Sequence, residues 1–269
     1  MSQFDCAIVG AGMVGATTAL ALAELGLKVV LIDKYQPKPF AMEQSFDLRV
    51  SAISVFSQTL LTQLGAWQQI KQWRLCPYKR LGVWENESSY TEFDCENINQ
   101  PYLGHIVENR LLQLSLWQQI EQQKNITLLC PEELITYRML EDNVHLTLST
   151  QDISAKLLIA ADGANSQVRK LANIGTTGWD YQQSAMLINV ETELDQQDIT
   201  WQQFYETGPV AMLPLSGQNA SLVWYHKKDE IKRLSELSNQ ALTDEVHKHF
   251  PKKLGKVKVI NKAAFNLTR

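Results

Sequence analysis

The opening strand–turn–helix–strand unit of this chain admits few folds. Residues 4–33 read FDCAIVGAGMVGATTALALAELGLKVVLID. Phe4 to Val9 is an apolar run suited to a buried strand, residues 13 to 25 suit a helix, and Lys28 to Ile32 form a second apolar strand ending at Asp33. Gly10, Gly12 and Gly15 have the spacing G-x-G-x-x-G. In such a unit the first glycine permits a tight turn, the second lets backbone approach a pyrophosphate, and the third lets the helix pack on the strand. The helix N-terminus turns free N–H groups toward the phosphates. Asp33, eighteen residues after Gly15, is placed to accept hydrogen bonds from an adenosine ribose. A carboxylate there disfavours a 2′-phosphate, so the pattern favours FAD or NAD over NADP as the tightly bound ligand.

Residues 6–23 carry no charge, which invites a signal-peptide or membrane-helix reading. Neither fits. Asp5 and no basic residue precedes the run, which is rich in Gly, Ala and Thr and stops at Glu24, at the lower length limit for a span. The 269 residues suffice for one large domain or two modest ones, and 45% apolar and 20% charged content is ordinary for a globular protein. WQQI occurs at 67–70 and again at 117–120, too little for a repeat architecture. Cys6, Cys76, Cys95 and Cys130 are scattered without a C-x-x-C, which points to reduced thiols in a cytoplasmic protein and to no zinc site. His247 and His249 fit a solvated, lysine-rich surface better than a metal site. Residues 226–269 hold eleven Lys and Arg against five Asp and Glu, a balance of +6, leaving −10 for the rest of a chain of net charge −4. The basic end (Lys248, Lys252, Lys253, Lys256, Lys258, Lys262) suits a solvated face first and anionic lipid headgroups second. The acidic remainder argues against a nucleic-acid protein.

Beyond the first unit, residues 35–46 form a Pro-containing loop. Residues 54–74 have helical periodicity broken around Gly65, 79–95 alternate like a hairpin, and 108–123 read as an amphipathic helix. Short strands follow in 126–161. From about residue 183 the character changes to strand-like runs, SAMLINVET, TWQQFYE, PVAMLPL and ASLVWY, then a helix over 235–249 and a last strand over 256–267. A parallel, nucleotide-binding portion therefore leads into an antiparallel sheet, and the 79–95 hairpin is expected to join that second sheet.

Leu157 to Arg169 reads LLIAADGANSQVR. A buried strand ends in Asp162-Gly163, Gly163 permits a tight turn, and Asn165 or Ser166 caps the next helix. Taken with the glycine turn, this stretch resembles the second fingerprint of the FAD-dependent aromatic hydroxylases of the para-hydroxybenzoate hydroxylase fold. Asp162 and Gly163 match its D-G pair, and Gly10, Gly12, Gly15 and Asp33 match the first fingerprint, although Glu is commoner than Asp at the ribose position. Arg49, in RVSAIS, matches a family arginine near the flavin, and Arg110, in VENRLLQ, matches the arginine that opens the helix after the substrate-domain excursion. DLRVSAIS, GHIVEN, ADGANSQVR, TWQQF, LPL and ASLVWY together are similar to the ubiquinone-biosynthesis hydroxylases, over nearly the whole chain.

The resemblance implies an α/β fold: a Rossmann-like FAD-binding domain over 1–75 and 100–180, with an antiparallel-sheet substrate domain over 76–99 and 181–269. It implies a flavoprotein monooxygenase in which NAD(P)H reduces FAD and O₂ then hydroxylates the ring of a polyprenylated quinol. The implied cofactor set is Gly10, Gly12, Met13, Val14, Gly15, Asp33, Lys34, Arg49, Arg110, Asp162 and Gly163, with Phe204, Leu213, Pro214 and Trp224 lining an apolar ring pocket, although core packing also accounts for each of these four. No catalytic base and no metal site stands out. A polyprenyl substrate gives the basic end a reason to sit near a membrane, peripheral to the inner membrane, or in a ubiquinone-biosynthesis complex. The family's third fingerprint, a G-D pair, occurs nowhere in the chain. A truncated chain that binds FAD weakly or not at all is therefore expected. An NAD-dependent dehydrogenase built on the same turn, or a non-catalytic assembly component, are the competing readings.

Overall fold

The structure is a computed structural model that describes residues 3–268. In chain order the strands are β1 Phe4–Val9, β2 Val29–Ile32, β3 Val50–Ser54, β4 Cys76–Tyr78, β5 Arg80–Trp84, β6 Thr91–Asp94, β7 Gly104–Glu108, β8 Ile126–Leu129, β9 Leu134–Met139, β10 Val144–Leu148, β11 Asp152–Ala160, β12 Asp180–Thr192, β13 Ile199–Gln203, β14 Val210–Leu215, β15 Asn219–Lys227 and β16 Val257–Thr268. The α-helices are α1 Met13–Glu24, α2 Val55–Gln63, α3 Trp67–Trp73, α4 Asn109–Ile120, α5 Gln167–Leu171, α6 Lys228–Glu236 and α7 Asn239–His249.

The chain divides into two units, one made of 1–42, 59–73 and 109–177, the other of 43–58, 74–108 and 178–269. The division differs from the expected domains chiefly in that 43–58 and 100–108 cluster with the second unit. The reason lies in pairing: β3 and β4 are both hydrogen-bonded to β7 in a three-stranded sheet, so these short segments travel together.

The first unit is built on a six-stranded sheet of order β8-β2-β1-β11-β10-β9. The strands β8, β2, β1 and β11 run parallel, with β8 at the edge, and β11, β10 and β9 continue as an antiparallel meander. Parallel strands covered on both faces must be apolar throughout, and all four residues of β2 and the last four of β1 are buried. Ala7, Val9, Val30 and Ile32 join Leu134, Val144, Leu146 and Val168 in one core cluster.

The second unit carries a seven-stranded sheet, β16-β12-β15-β14-β13-β5-β6. The β5–β6 hairpin joins it through parallel pairing of β5 with β13. One face of this sheet is closed by α6, α7 and the turn after them: Met186, Ile188, Leu222 and Trp224 pack with Ile231, Leu234, Leu242, Val246 and Phe250. On the other face Leu215 and Leu213 meet Cys76, Ile106, Phe46 and Tyr78. The register of β12 against β16 shifts between Asn189 and Val190, leaving Ile260 as the extra residue of a bulge. The helix expected over 235–249 is two helices, with α6 beginning earlier, at Lys228. None of the described helices is long and apolar enough to cross a membrane.

Candidate nucleotide site

The three glycines of the turn have different reasons to be glycine. Gly10 has φ +99°, and a Cβ there would lie 2.4 Å from the Ala161 carbonyl oxygen. At Gly15 a Cβ would lie 1.8 Å from the Gly10 carbonyl oxygen, so the helix meets the turn backbone directly. At Gly12 a Cβ would meet nothing within 4 Å. Gly12 is the N-cap of α1, has extended backbone and forms no side-chain cap. The first turn of α1 therefore opens onto unfilled space, with the helix dipole's positive end exposed to it. Met13 begins α1, and Val14 in its first turn is 67% exposed.

Asp33 closes the turn from the second strand. Its Oδ2 accepts the Ala11 N–H at 2.6 Å, and its Oδ1 accepts the Tyr35 N–H at 2.9 Å. Each carboxylate oxygen keeps capacity for a further donor. Lys34 pairs with Glu133 at 2.8 Å, and that partnership raises its pKa. Asp162 Oδ2 accepts the N–H groups of Gln167 and Val168 at 2.7 and 3.1 Å, while Ser166 is the N-cap of α5 and accepts from Arg169 N–H. The other oxygen of Asp162 is buried and has no hydrogen-bond partner. Gly163 follows with φ +79° and open space where a Cβ would be. Asp33, Lys34, Gly10 and Asp162 share the wall of a cleft of about 420 Å³ with Tyr35, Glu132 and Asn165.

Three side chains that sequence reasoning missed support this site. Gln113 Nε2 and Trp117 Nε1, four residues apart on one face of α4, both donate to the Ala11 carbonyl, at 2.9 and 2.8 Å. Their spacing in LLQLSLW was visible, but their shared acceptor was not. Glu132 lies in the cleft wall at 5% exposure. Burial pushes its carboxyl up, but hydrogen bonds from Ser149, Thr150 and two backbone N–H groups outweigh that and hold it at about 2.

The remaining expected residues lie elsewhere. Arg110, at the start of α4, donates from Nη1 to the carbonyls of Lys38 and Pro39, at 3.4 and 3.1 Å, and so ties down the loop that leaves Asp33. Arg49 belongs to the second unit, where its exposed guanidinium sits 5.1 Å from the centre of the Phe265 ring. Phe204, Leu213, Pro214 and Trp224 do not line one pocket. Trp224 is 3% exposed and packs against Phe250 and His249 on the helix-covered face, where Pro214 lies opposite Ala220. Leu213 faces the other side, with Ile106 and Leu215, and Phe204 is exposed at the end of β13. Strand alternation separates residues that sequence reading had grouped. His247 Nε2 accepts the Val257 N–H, His249 Nδ1 approaches the Glu245 carbonyl at 2.9 Å, and no group of metal-binding side chains occurs among the described residues.

The fold and this glycine cradle define a class, the FAD-binding scaffold of flavin-dependent monooxygenases. A probable FAD-dependent monooxygenase, PqsL from Pseudomonas aeruginosa, superposes with a TM-score of 0.75 at 16% identity, over 96% of this chain and 73% of that one. Aklavinone-11 hydroxylase, solved with FAD and aklavinone, superposes at 0.70 and 16% identity over all of this chain and 54% of that one. The family model described as "FAD binding domain" matches residues 3–269, and the chain belongs to that family, on the branch of the ubiquinone-biosynthesis hydroxylases. It is 46% identical to 3-demethoxyubiquinol 3-hydroxylase of Escherichia coli over 98% of this chain and 68% of that protein. It is 34% identical to ubiquinone hydroxylase UbiL of Rhodospirillum rubrum over 95% of this chain and 59% of that protein. The human mitochondrial ubiquinone biosynthesis monooxygenase COQ6 is 33% identical over 92% of this chain, which spans 56% of its length. The chain thus spans about two thirds or less of the length of these relatives.

Proposed function

We propose that the protein is an FAD- and NAD(P)H-dependent monooxygenase that hydroxylates the quinol ring of a polyprenylated ubiquinone precursor. The identity to the 3-demethoxyubiquinol 3-hydroxylase carries the substrate class, and the cradle at residues 10–15 fits the cofactor. In this reading Gly10, Gly12 and the first turn of α1 hold the pyrophosphate, with Met13 and Val14 supplying backbone N–H groups. Asp33 takes ribose hydroxyls as further donors. The unpartnered oxygen of Asp162 is a buried acceptor that needs a donor, and a hydroxyl-bearing cofactor chain supplies one. The family resemblance makes Arg49 and Arg110 candidate flavin anchors; Arg49 is exposed on its segment, and Arg110 holds the loop beside Asp33 through the carbonyls of Lys38 and Pro39. Bound FAD supplies the redox and oxygen chemistry, while the protein supplies position and exclusion of water. Lys252, Lys256 and Lys258 are exposed near the start of β16 and suit contact with a membrane surface that holds a prenylated substrate.

The test, run on the chain extended to the length of its relatives, is NAD(P)H oxidation in the presence of FAD, with and without a short-tailed demethoxyquinol, followed by mass spectrometry of the quinol. Quinol-dependent oxidation and a product heavier by one oxygen atom are expected. Oxidation indifferent to the quinol, with no oxygenated product, would refute the proposal.

A further inference from the structure

Lys253 lies in the turn between α7 and β16, and its neighbours Phe250 and Leu254 pin that turn into the helix-covered core of the second unit. Its Nζ sits over three aromatic rings, 3.5 Å from the centre of Trp84 and 5.2 Å from those of Tyr90 and Trp201. The rings come from the end of β5, from the residue before β6 and from β13, and they pack on one another, with Trp84 5.5 Å from Trp201 and 5.6 Å from Tyr90. Trp84 and Trp201 are buried, whereas Tyr90 is 44% exposed and Lys253 is exposed overall. The amine is therefore walled by rings on one side and open to small reagents on the other.

Among the described residues Lys253 has no hydrogen bond and no ion pair. Ring faces attract an ammonium, but they do not replace the strong acceptors that water offers its three N–H donors. The charged groups around it are Glu92 of β6, whose Oε2 accepts the Tyr90 hydroxyl, and Arg80 of β5, which is paired with Asp198. Burial lowers the Lys253 pKa to about 8, with Glu92 opposing the shift and Arg80 adding to it. An amine desolvated by apolar walls and set beside another cation is an activated nucleophile.

We propose that Lys253 is a modification site, the lysine of this chain that takes an acyl group first from an acyl phosphate. The Nζ lone pair attacks the acyl carbonyl carbon and a C–N bond forms. The bond from that carbon to the phosphate oxygen breaks with its electron pair, inorganic phosphate leaves, and the surplus proton on nitrogen passes to water. The product amide is uncharged, so the rings lose the cation they surround, and the turn after α7 loses one tie to the β5–β6 hairpin.

The test treats the chain with limiting acetyl phosphate between pH 6 and 11 and quantifies acetylated peptides by mass spectrometry. At pH 7.5 Lys253 is expected to react about tenfold faster than the exposed Lys252, Lys256 and Lys258, because an ordinary lysine is almost wholly protonated there. Its rate profile is expected to have a midpoint near pH 8. Glu92→Gln removes the opposing carboxylate and should move that midpoint down, while Tyr90→Leu admits water to Nζ and should move it up. Both substitutions fall on exposed residues. No preference for Lys253, a midpoint near the ordinary 10.5, or a midpoint that fails to move in those two directions would overturn the proposal.

Discussion

Replacing Gly12 and Gly15 with alanine, one at a time, separates the glycine that faces a ligand from the glycine that packs the fold. At Gly15 the new methyl would sit 1.8 Å from the Gly10 carbonyl oxygen. Relief requires α1 to retreat from the turn by more than an ångström, taking with it the buried face formed by Ala16, Ala19, Leu20 and Ala23. Overpacking against backbone that cannot yield is expected to cost about 3 kcal/mol or more. At Gly12 nothing lies within 4 Å and φ is −67°. The weaker N-cap preference of alanine and the smaller entropy of its unfolded chain then nearly cancel, within about 1 kcal/mol. The gap of about 2 kcal/mol is roughly a thirtyfold difference in the folded-to-unfolded ratio. It corresponds to roughly 1 M in the urea midpoint. Flavin fluorescence titration reads the converse: Gly12→Ala fills the space a pyrophosphate would enter and is expected to weaken FAD by about tenfold or more. Equal loss of stability in the two variants, or unaltered FAD affinity in Gly12→Ala, would refute the division of labour.

Gln113→Ala and Trp117→Phe are each expected to cost under about 1 kcal/mol in a urea melt, because the Ala11 carbonyl keeps one donor; the double variant should exceed their sum, since a buried carbonyl is then orphaned. Glu132 is held at about 2, below the usual carboxylate value of 4.5. Its ionised form therefore stabilises the fold above about pH 4.5, and that contribution fades as pH falls toward 2; Glu132→Gln should be less stable than the unaltered chain at pH 7 and equal to it near pH 2, measured by melts across that range. Lys253 lies with its Nζ 3.5 Å from the centre of the Trp84 ring and 5.2 Å from those of Tyr90 and Trp201. Burial lowers its pKa to about 8 from 10.5, so the unfolded chain binds more protons between those values and stability gains a component that rises with pH there; Lys253→Met should remove that rise.

What the sequence made legible was local. The first βαβ unit, the Asp162-Gly163 turn and the 79–95 hairpin each carry their own signals, namely period, glycine spacing and alternation, and the structure places elements there. Three things were not legible, for physical reasons. KDEIKRLSE keeps its only two apolar residues, Ile231 and Leu234, on one face, but two among so many charged residues were too few to mark α6 as a helix that packs. Because α6 went unseen, nothing in ASLVWY indicated which face of β15 a helix would cover, and Trp224 was read toward a pocket when it belongs to the core. Arg74 and Glu108, joined as an ion pair, lie thirty-four positions apart; Glu108 falls within GHIVEN, but nothing in that stretch points to Arg74, and only the pairing of β4 with β7 brings their surroundings together. Long-range polar partnerships leave no periodic trace in a sequence.

The parallel pairing of β1 with β11 joins Phe4 to Ala155 and Val9 to Ala160. The backbone that Gly10 rests against, at Ala161, leaves a ribosome about 150 residues after the glycine turn itself. At ordinary synthesis rates that is a delay of roughly 10–30 s. During that interval the apolar unit of β1, α1 and β2 lacks β11 on one edge and, for most of it, β8 on the other. The two halves of the nucleotide site can therefore meet only after the whole intervening stretch has been made.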